Sequence, residues 1–513
     1  MRRQLLGKGE LIGAEVAVKL SLIATGTSTR EVFMTIHKNY INGEWVDGAE
    51  IIVNVNPSDL DDTIGEYAQA DARQTADAIA AAQAAFRSWA RTTPQQRADA
   101  LDALGTEILA RREALGELLS REEGKPLADG IAEATRAGQI FRFYAGEALR
   151  RDGVAIESIR PSVEVTVTRD PIGVVGLITP WNFPMAIPAW KLAPALAYGN
   201  TAVLKPANLV PGSAWALVEI ASRCGFPPGV VNLVMGSGSA VGQAILNSDR
   251  VNGVSFTGSV ATGAQVAQAC AGRGIKFQLE MGGKNPLVVL DDANLDSSVA
   301  AAVNGAFYQT GQRCTASSRL IVTEKIHDGF VERIVAAMKS LVVDHALKPG
   351  TQIGPVVDEH QLKQDLDYIE IGKKEGAELA WGAKLLNRET RGHYLQPALF
   401  VNTNNRMRIN QEEIFGPVAT VIKVRDYEEA LATANDTAFG LSSGICTRSL
   451  KHATDFRRNS TAGMVMVNLP TAGVDYHVPF GGRKGSSAGS REQGRGAIEF
   501  FTTTRTHYIL ADS

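Results

Sequence analysis

Between residues 172 and 271 the chain alternates short apolar runs with helical ones, a pattern that few folds accommodate. The runs IGVVGLIT (172–179), TAVLK (201–205), VVNLVM (230–235) and VNGVSFT (251–257) are too continuously apolar to leave one face in water. Each reads as a strand buried on both sides. Between them, PGSAWALVEIASR (211–223), SAVGQAILN (239–247) and VATGAQVAQACA (260–271) carry helical spacing. Repeated β-α-β units of this kind demand a parallel sheet with helices on both faces, an architecture that in general form binds nucleotides. A second β/α series starts after the turn MGGKNP (281–286) and runs to about residue 468.

The flanks read differently. From Asp71 the segment DARQTADAIAAAQAAFRSWA has an N-cap and helical spacing, and helices are also predicted over 94–112 and 131–149. Residues 150–170 alternate polar and apolar side chains, which predicts an exposed antiparallel hairpin. The β-rich tail FTTTRTHYIL (501–510) is predicted to extend the sheet of another subunit. Residues 1–33 mix charges of both signs, and Lys19 interrupts their apolar stretch, so no secretory h-region is present. They read as a disordered extension ahead of Met34.

At 513 residues the chain is too long for one core, and 50 glycines against 20 prolines fit a fold with many tight strand–helix turns. A formal net charge of −3 provides no field for nucleic acid or an anionic membrane. No apolar run approaches the roughly 18 residues that span a bilayer. The four cysteines, Cys224, Cys270, Cys314 and Cys446, form no CxxC pair and lie near no histidine at ligand spacing. A zinc site and a disulfide framework are therefore not expected, and a reducing, cytoplasmic setting is.

Three of those thiols sit in helical or strand contexts and read as small hydrophobes. Cys314 lies instead in Phe307-Tyr-Gln-Thr-Gly-Gln-Arg-Cys-Thr-Ala-Ser-Ser-Arg319, a polar junction between a helix (about 294–309) and a strand (319–323). A thiol beside Arg313 and among backbone amides is expected to favour the nucleophilic thiolate, although context alone leaves a structural role open. Glu280 closes the apolar strand IKFQLE, where desolvation would raise its pKa toward that of a general base. Capping the turn or pairing with Lys284 is the alternative. Asn182, in the stiff loop Pro180-Trp181-Asn182-Phe183-Pro184, offers a neutral donor to an oxyanion. Gly236-Ser-Gly238-Ser-Ala-Val-Gly242 is one residue longer than the dinucleotide fingerprint and carries little weight alone. Phe256-Thr257-Gly258-Ser259 with Gly263 makes another strand–turn–helix whose amides could face a phosphate.

Taken in order, PWNFP, LKP, FTGS, LEMGGKNP, GQRC, EEIFGPV and PFGGRKGS resemble the motifs of the NAD(P)-dependent aldehyde dehydrogenase superfamily, from about residue 40 to 510. The resemblance implies an α/β fold of two Rossmann-like parallel-sheet domains plus a small antiparallel oligomerisation element. It assigns 34–149 with 171–281 to cofactor binding, 282–485 to catalysis, and 150–170 with 494–513 to assembly as a dimer or tetramer. It makes Cys314 the nucleophile that forms a thiohemiacetal and then a thioester. Asn182 and the Cys314 amide become the oxyanion donors, Glu280 the base for hydrolysis, and Glu492 of SREQG a second carboxylate for proton relay. Because branches that acylate coenzyme A lack the glutamate, Glu280 implies release of a free acid.

The resemblance likewise places Ile178, Thr179, Pro180 and Trp181 along one side of the cofactor and Lys205 at the adenosine ribose. Gly236 flanks the adenine, while Phe256, Thr257, Gly258, Ser259 and Gly263 form the pyrophosphate turn. Glu413 and Phe415 hold the nicotinamide ribose and ring, and Met281 and Gly282 adjoin the ring. One position departs: many NAD-preferring members carry a glutamate three residues after this lysine, where this chain has Asn208. Losing that carboxylate removes a repulsion against a 2′-phosphate, so the expected cofactor is NAD(P)+, with NAD+ favoured. The segment 470–487 resembles the branch that oxidises α-ketoglutaric semialdehyde (2,5-dioxopentanoate) in degradation of sugar acids or hydroxyproline. The expected substrate is a small aldehyde with a distal carboxylate, met by Arg313, Trp190 and Phe480. Succinic or glutaric semialdehyde, a broad-range activity, and a non-catalytic binding relative are the alternatives. Trp190 stands where succinic semialdehyde dehydrogenases usually have an arginine.

Overall fold

The apolar runs pair in parallel, as their lack of a polar face requires. In the computed structural model, which describes residues 35–151 and 153–510, they build the centre of an eight-stranded sheet. The predicted extension 1–33 lies outside the described residues. The strand order is Ser487–Ala488, Lys276–Glu280, Gly253–Thr257, Val174–Ile178, Thr201–Lys205, Val231–Leu233, Asn39–Ile41 and Glu44–Val46. The five middle strands from Lys276–Glu280 to Val231–Leu233 are parallel, and the outer ones join antiparallel. Chain direction across the sheet reverses between Val174–Ile178 and Gly253–Thr257, which opens a crevice at the carboxyl ends of the strands.

The second series forms a seven-stranded sheet in the order Glu378–Trp381, Ala398–Thr403, Val418–Val424, Arg319–Thr323, Pro286–Val289, Ser442–Cys446 and Met464–Val467. Only Glu378–Trp381 runs antiparallel to its neighbour. The segments entering three of these strands, 281–285, 311–317 and 411–417, face the carboxyl ends of the first sheet. That meeting of one sheet's exits with the other's entrances positions the site.

Two expectations change. The helix predicted over 94–112 ends at Ala110, and a further helix that the spacing did not suggest, Arg112–Glu123, follows it. Pro126 allows the next helix to begin at Leu127 rather than 131, because proline fits just ahead of the first helical turn. The tail strand Thr502–Leu510 pairs along its whole length with Val163–Pro171 of its own chain and forms an edge of that sheet. With Val154–Glu157 it completes a three-stranded sheet whose Val154, Ile156, Tyr508, Ile509 and Leu510 remain exposed.

Candidate active site

The helix Leu295–Phe307 stops before the predicted 309 because the backbone turns left-handed at Gln309, Thr310 and Gly311. A Cβ at Gly311 would sit 2.2 Å from the Gly416 oxygen, so only glycine fits there. The reversal delivers Cys314 half-buried at the top of the strand Arg319–Thr323. Two asparagines then fix the thiol's loop. Asn285 Nδ2 donates to the Cys314 oxygen at 2.8 Å and to the Ala316 oxygen at 2.9 Å, while its Oδ1 accepts from Ser442 N at 3.0 Å. Asn182 Nδ2 donates to the oxygen of Gln312, two residues before Cys314, at 3.0 Å, which leaves its second N–H to spare. Lys125 supports the Asn182 loop through its backbone oxygen at 2.8 Å.

The thiolate expectation is corrected. Burial pushes the Cys314 thiol up to about 12, and the charges of Glu413 and Glu280 add to the effect. Arg313, whose Nη2 donates to the Asn304 and Gly305 carbonyls at the C-terminal end of the helix, does not overcome them. There the helix dipole and carbonyls serve as its counter-charge. Arg313 is thus a latch on the helix through its Nη2, while its buried Nε has no partner.

Glu280 ends the first sheet, buried, with Oε2 accepting from Ser487 Oγ at 2.5 Å and Oε1 without a partner. Burial, then the charge of Glu492, holds its carboxyl well above the usual carboxylate range. Glu492 itself is engaged: Trp190 Nε1 donates to it at 2.6 Å, Ser255 Oγ at 3.2 Å, and Lys191 forms a buried ion pair with it. Trp190 also packs against Phe480 at 5.6 Å between ring centroids, and Phe480 and Glu492 exchange backbone hydrogen bonds. Trp190, Phe480 and Glu492 therefore form one cluster behind the thiol.

The residues expected to hold a dinucleotide end the parallel strands together. Thr179 Oγ1, Asn208 Oδ1 and Thr257 Oγ1 are shut from solvent and have no partner, and Lys205 Nζ has a single carbonyl acceptor, Pro206 O at 3.0 Å. Burial lowers Lys205 to about 8. Such unmet donors and acceptors fit a ligand rich in hydroxyl and phosphate oxygens. Ser259 caps the helix Val260–Arg273, and a Cβ at Gly263 would meet Met281 Sδ at 2.3 Å. From the other side Glu413 Oε1 accepts from Gly283 N at 2.8 Å, a Cβ on Gly282 would collide with that carboxylate, and Phe415 meets Trp181 edge-on at 5.3 Å. Ile178 and Pro180 flank Thr179, whereas Gly236 lies at the first sheet's next strand end.

A model of the family described as "Aldehyde dehydrogenase family" matches residues 45–507. The chain belongs to the aldehyde dehydrogenase family. It is 43% identical over 475 residues to an alpha-ketoglutaric semialdehyde dehydrogenase of Bacillus subtilis (strain 168), covering 92% of this chain and 97% of that one. An alpha-ketoglutarate semialdehyde dehydrogenase of Haloferax volcanii is 41% identical over 478 residues, 92% and 98% of the two chains. Among solved structures, betaine aldehyde dehydrogenase of Staphylococcus aureus in complex with NAD+ superposes with a TM-score of 0.91 at 32% identity, covering 94% and 96%. The chain is accordingly an α/β aldehyde dehydrogenase, an oxidoreductase that uses NAD(P).

Several site residues were not singled out from the sequence. Glu133 accepts from Met185 N and Ala186 N, both at 3.0 Å, and from Lys125 Nζ at 2.7 Å, so it caps the helix that carries Trp190 and Lys191. Lys191 carried a usable signal: it is a lone charge in the otherwise apolar helix Ala186–Ala197. Asn285, inside the quoted LEMGGKNP motif, is the clamp described above. Among the described residues no cluster of three His, Cys, Asp or Glu could hold a metal, and no helix is long and apolar enough to cross a membrane.

Proposed function

We propose that this enzyme oxidises α-ketoglutaric semialdehyde to 2-oxoglutarate through a thioester on Cys314. Convergence of Cys314, Glu280 and Asn182 from separate elements at one cleft carries the chemical part of this reading. The substrate part is supported by the names of the two semialdehyde relatives, each more than 40% identical over nine-tenths of the chain.

In this reading the Cys314 thiol gives up its proton to solvent, the thiolate adds to the aldehyde carbon, and the oxyanion takes hydrogen bonds from the free Asn182 N–H and the Cys314 amide. When bound, the oxidised nicotinamide supplies the acceptor for the hydride that leaves this carbon. Glu280 then removes a proton from water as the water adds to the thioester, and the thiolate departs with release of the acid. A carboxylate with a raised pKa suits this role, because a base works best when its pKa approaches the working pH. The Glu492–Lys191 pair would accept the proton onward from Glu280. Thr179, Lys205, Asn208 and Thr257 would hold the cofactor on one side and Glu413 and Phe415 on the other. We favour NAD+ while noting that the neutral Asn208 offers a 2′-phosphate no repulsion.

The domain division 34–149 with 171–281, 282–485, and 150–170 with 494–513 is proposed on the same basis, since each main sheet is assembled within one such unit apart from a short edge strand. Self-association as a dimer or tetramer through the three-stranded sheet is supported by its exposed apolar residues. Free thiols at all four cysteines accord with a cytoplasmic setting.

The test is a kcat/KM panel of α-ketoglutaric, succinic and glutaric semialdehydes against glycolaldehyde, lactaldehyde and benzaldehyde. The acidic aldehydes are expected to lead, with the α-keto compound first. A neutral or aromatic aldehyde ahead by tenfold or more defeats the substrate reading.

A further inference from the structure

The proposed substrate, on which this inference rests, carries a carboxylate that must leave water when its aldehyde reaches Cys314. A buried anion requires a counter-charge that is not already engaged. Of the cations near the site, Lys191 is paired with Glu492 and Lys125 with Glu133. Arg313 gives Nη2 to two helix-terminal carbonyls and keeps a buried Nε without a partner, and the Nζ of Lys284 beside Glu413 is likewise without one.

Arg136 differs. It projects from the helix Leu127–Ala148, and among the described residues it forms no ion pair. Its guanidinium lies 5.8 Å from the centroid of the Trp190 ring, the same indole whose N–H holds Glu492. Its Nη2 donates to Gln493 Oε1 at 3.1 Å, which fixes the orientation of that amide. Two donors are then left over: Arg136 Nε and Gln493 Nε2 are both shut from solvent without a partner. Gln493 follows Glu492 directly and holds a left-handed backbone (φ 58°), a conformation that costs energy for a residue with a side chain and that recurs at functional sites. The neighbouring carboxylates do not satisfy these donors. Glu133 is engaged by Lys125, Met185 N and Ala186 N, and Asp475 is exposed on its loop and acts on Arg136 only through its charge. Arg136 and Cys314 also interact through their charges, as Arg313 and Cys314 do.

We propose that Arg136, with the Gln493 amide beside it, binds the distal carboxylate and adjoining keto oxygen of the aldehyde substrate. A planar guanidinium held over an indole and oriented by an amide is preorganised for a carboxylate, and an adjacent amide N–H suits a keto oxygen.

The test compares kcat/KM for 2,5-dioxopentanoate and for pentanal, its neutral analogue, in the wild type and in Arg136→Met, Arg136→Lys and Arg313→Gln. Arg136→Met is expected to lower the acid-to-neutral ratio on the order of a hundredfold, mainly through KM. Arg136→Lys, which keeps the charge, is expected to recover part of that ratio and guards against a folding defect. The loss on pentanal is expected to be at least tenfold smaller than the loss on the acid. Equal losses on both aldehydes, or a ratio that follows Arg313→Gln instead, overturn the assignment. A wild type that prefers pentanal sinks the acidic-substrate reading itself, whereas an acid-preferring wild type with an indifferent Arg136→Met sinks only the role of Arg136.

Discussion

At the scale of single residues, the environment of Cys314 sets when the enzyme can react. A neutral thiol at rest, held up to about 12 by burial and by Glu413 and Glu280, is protected from adventitious alkylation. The sign follows directly: below its pKa the thiolate fraction rises about tenfold for each pH unit. Alkylation of the cofactor-free enzyme by iodoacetamide should therefore be slow at pH 7.5 and accelerate steeply to pH 9.5. Glu413, whose pKa is pushed up to about 7 by its own burial, is ionised over the upper part of that range. Glu413→Gln should then speed alkylation several-fold at pH 9. Mass-spectrometric rates that are flat from pH 7 to 9 would mean a thiolate already formed, as the local sequence had suggested. The sequence placed a cation beside the thiol but could not show that Arg313 turns away to Asn304 and Gly305.

At the scale of elements, the nucleophile loop is held by a turn from the adjoining strand more than by its own conformation. Asn285 makes three hydrogen bonds to main chain on two segments, each contributing about 1 kcal/mol and together enough to fix the loop. Asn285→Ala should lower kcat roughly thirtyfold with little change in cofactor affinity, because it frees the Cys314 carbonyl without touching the dinucleotide cradle. A kcat within twofold of wild type would show that the loop holds itself. The strands of this cleft were legible because buried parallel strands are written as apolar runs with no polar face. The helix Arg112–Glu123 was missed because its exposed charges hide the apolar spacing of Leu115 and Leu119. The end of the helix Leu295–Phe307 was misjudged by two residues because positive φ at Gln309 and Thr310 is imposed by packing, not by residue type.

At the scale of the whole molecule, the chemistry is divided between the two sheets. Glu280, Asn182 and Lys191 belong to the first sheet and the elements that follow its strands, with Glu492 held against them from the segment after Ser487–Ala488, whereas Cys314 and Glu413 enter the second. Neither half holds both the nucleophile and its base. Ordered motifs made that division readable in the sequence, yet Arg136, Glu133 and Lys125 escaped notice. Arg136 and Glu133 lie on one helix and Lys125 on the segment before it, outside any motif, and only tertiary packing brings them to Trp190, Met185 and Asn182. The most direct measurement of the division is a rapid-quench experiment on Glu280→Gln with 2,5-dioxopentanoate and NAD+, followed by intact-protein and peptide mass spectrometry. A burst of about one NADH per active site is expected, with an acyl group accumulating on the Cys314 peptide and steady turnover slowed at least a hundredfold. Steady turnover near wild type, with no acyl group on Cys314 at any quench time, would contradict a thioester hydrolysed across the cleft by Glu280.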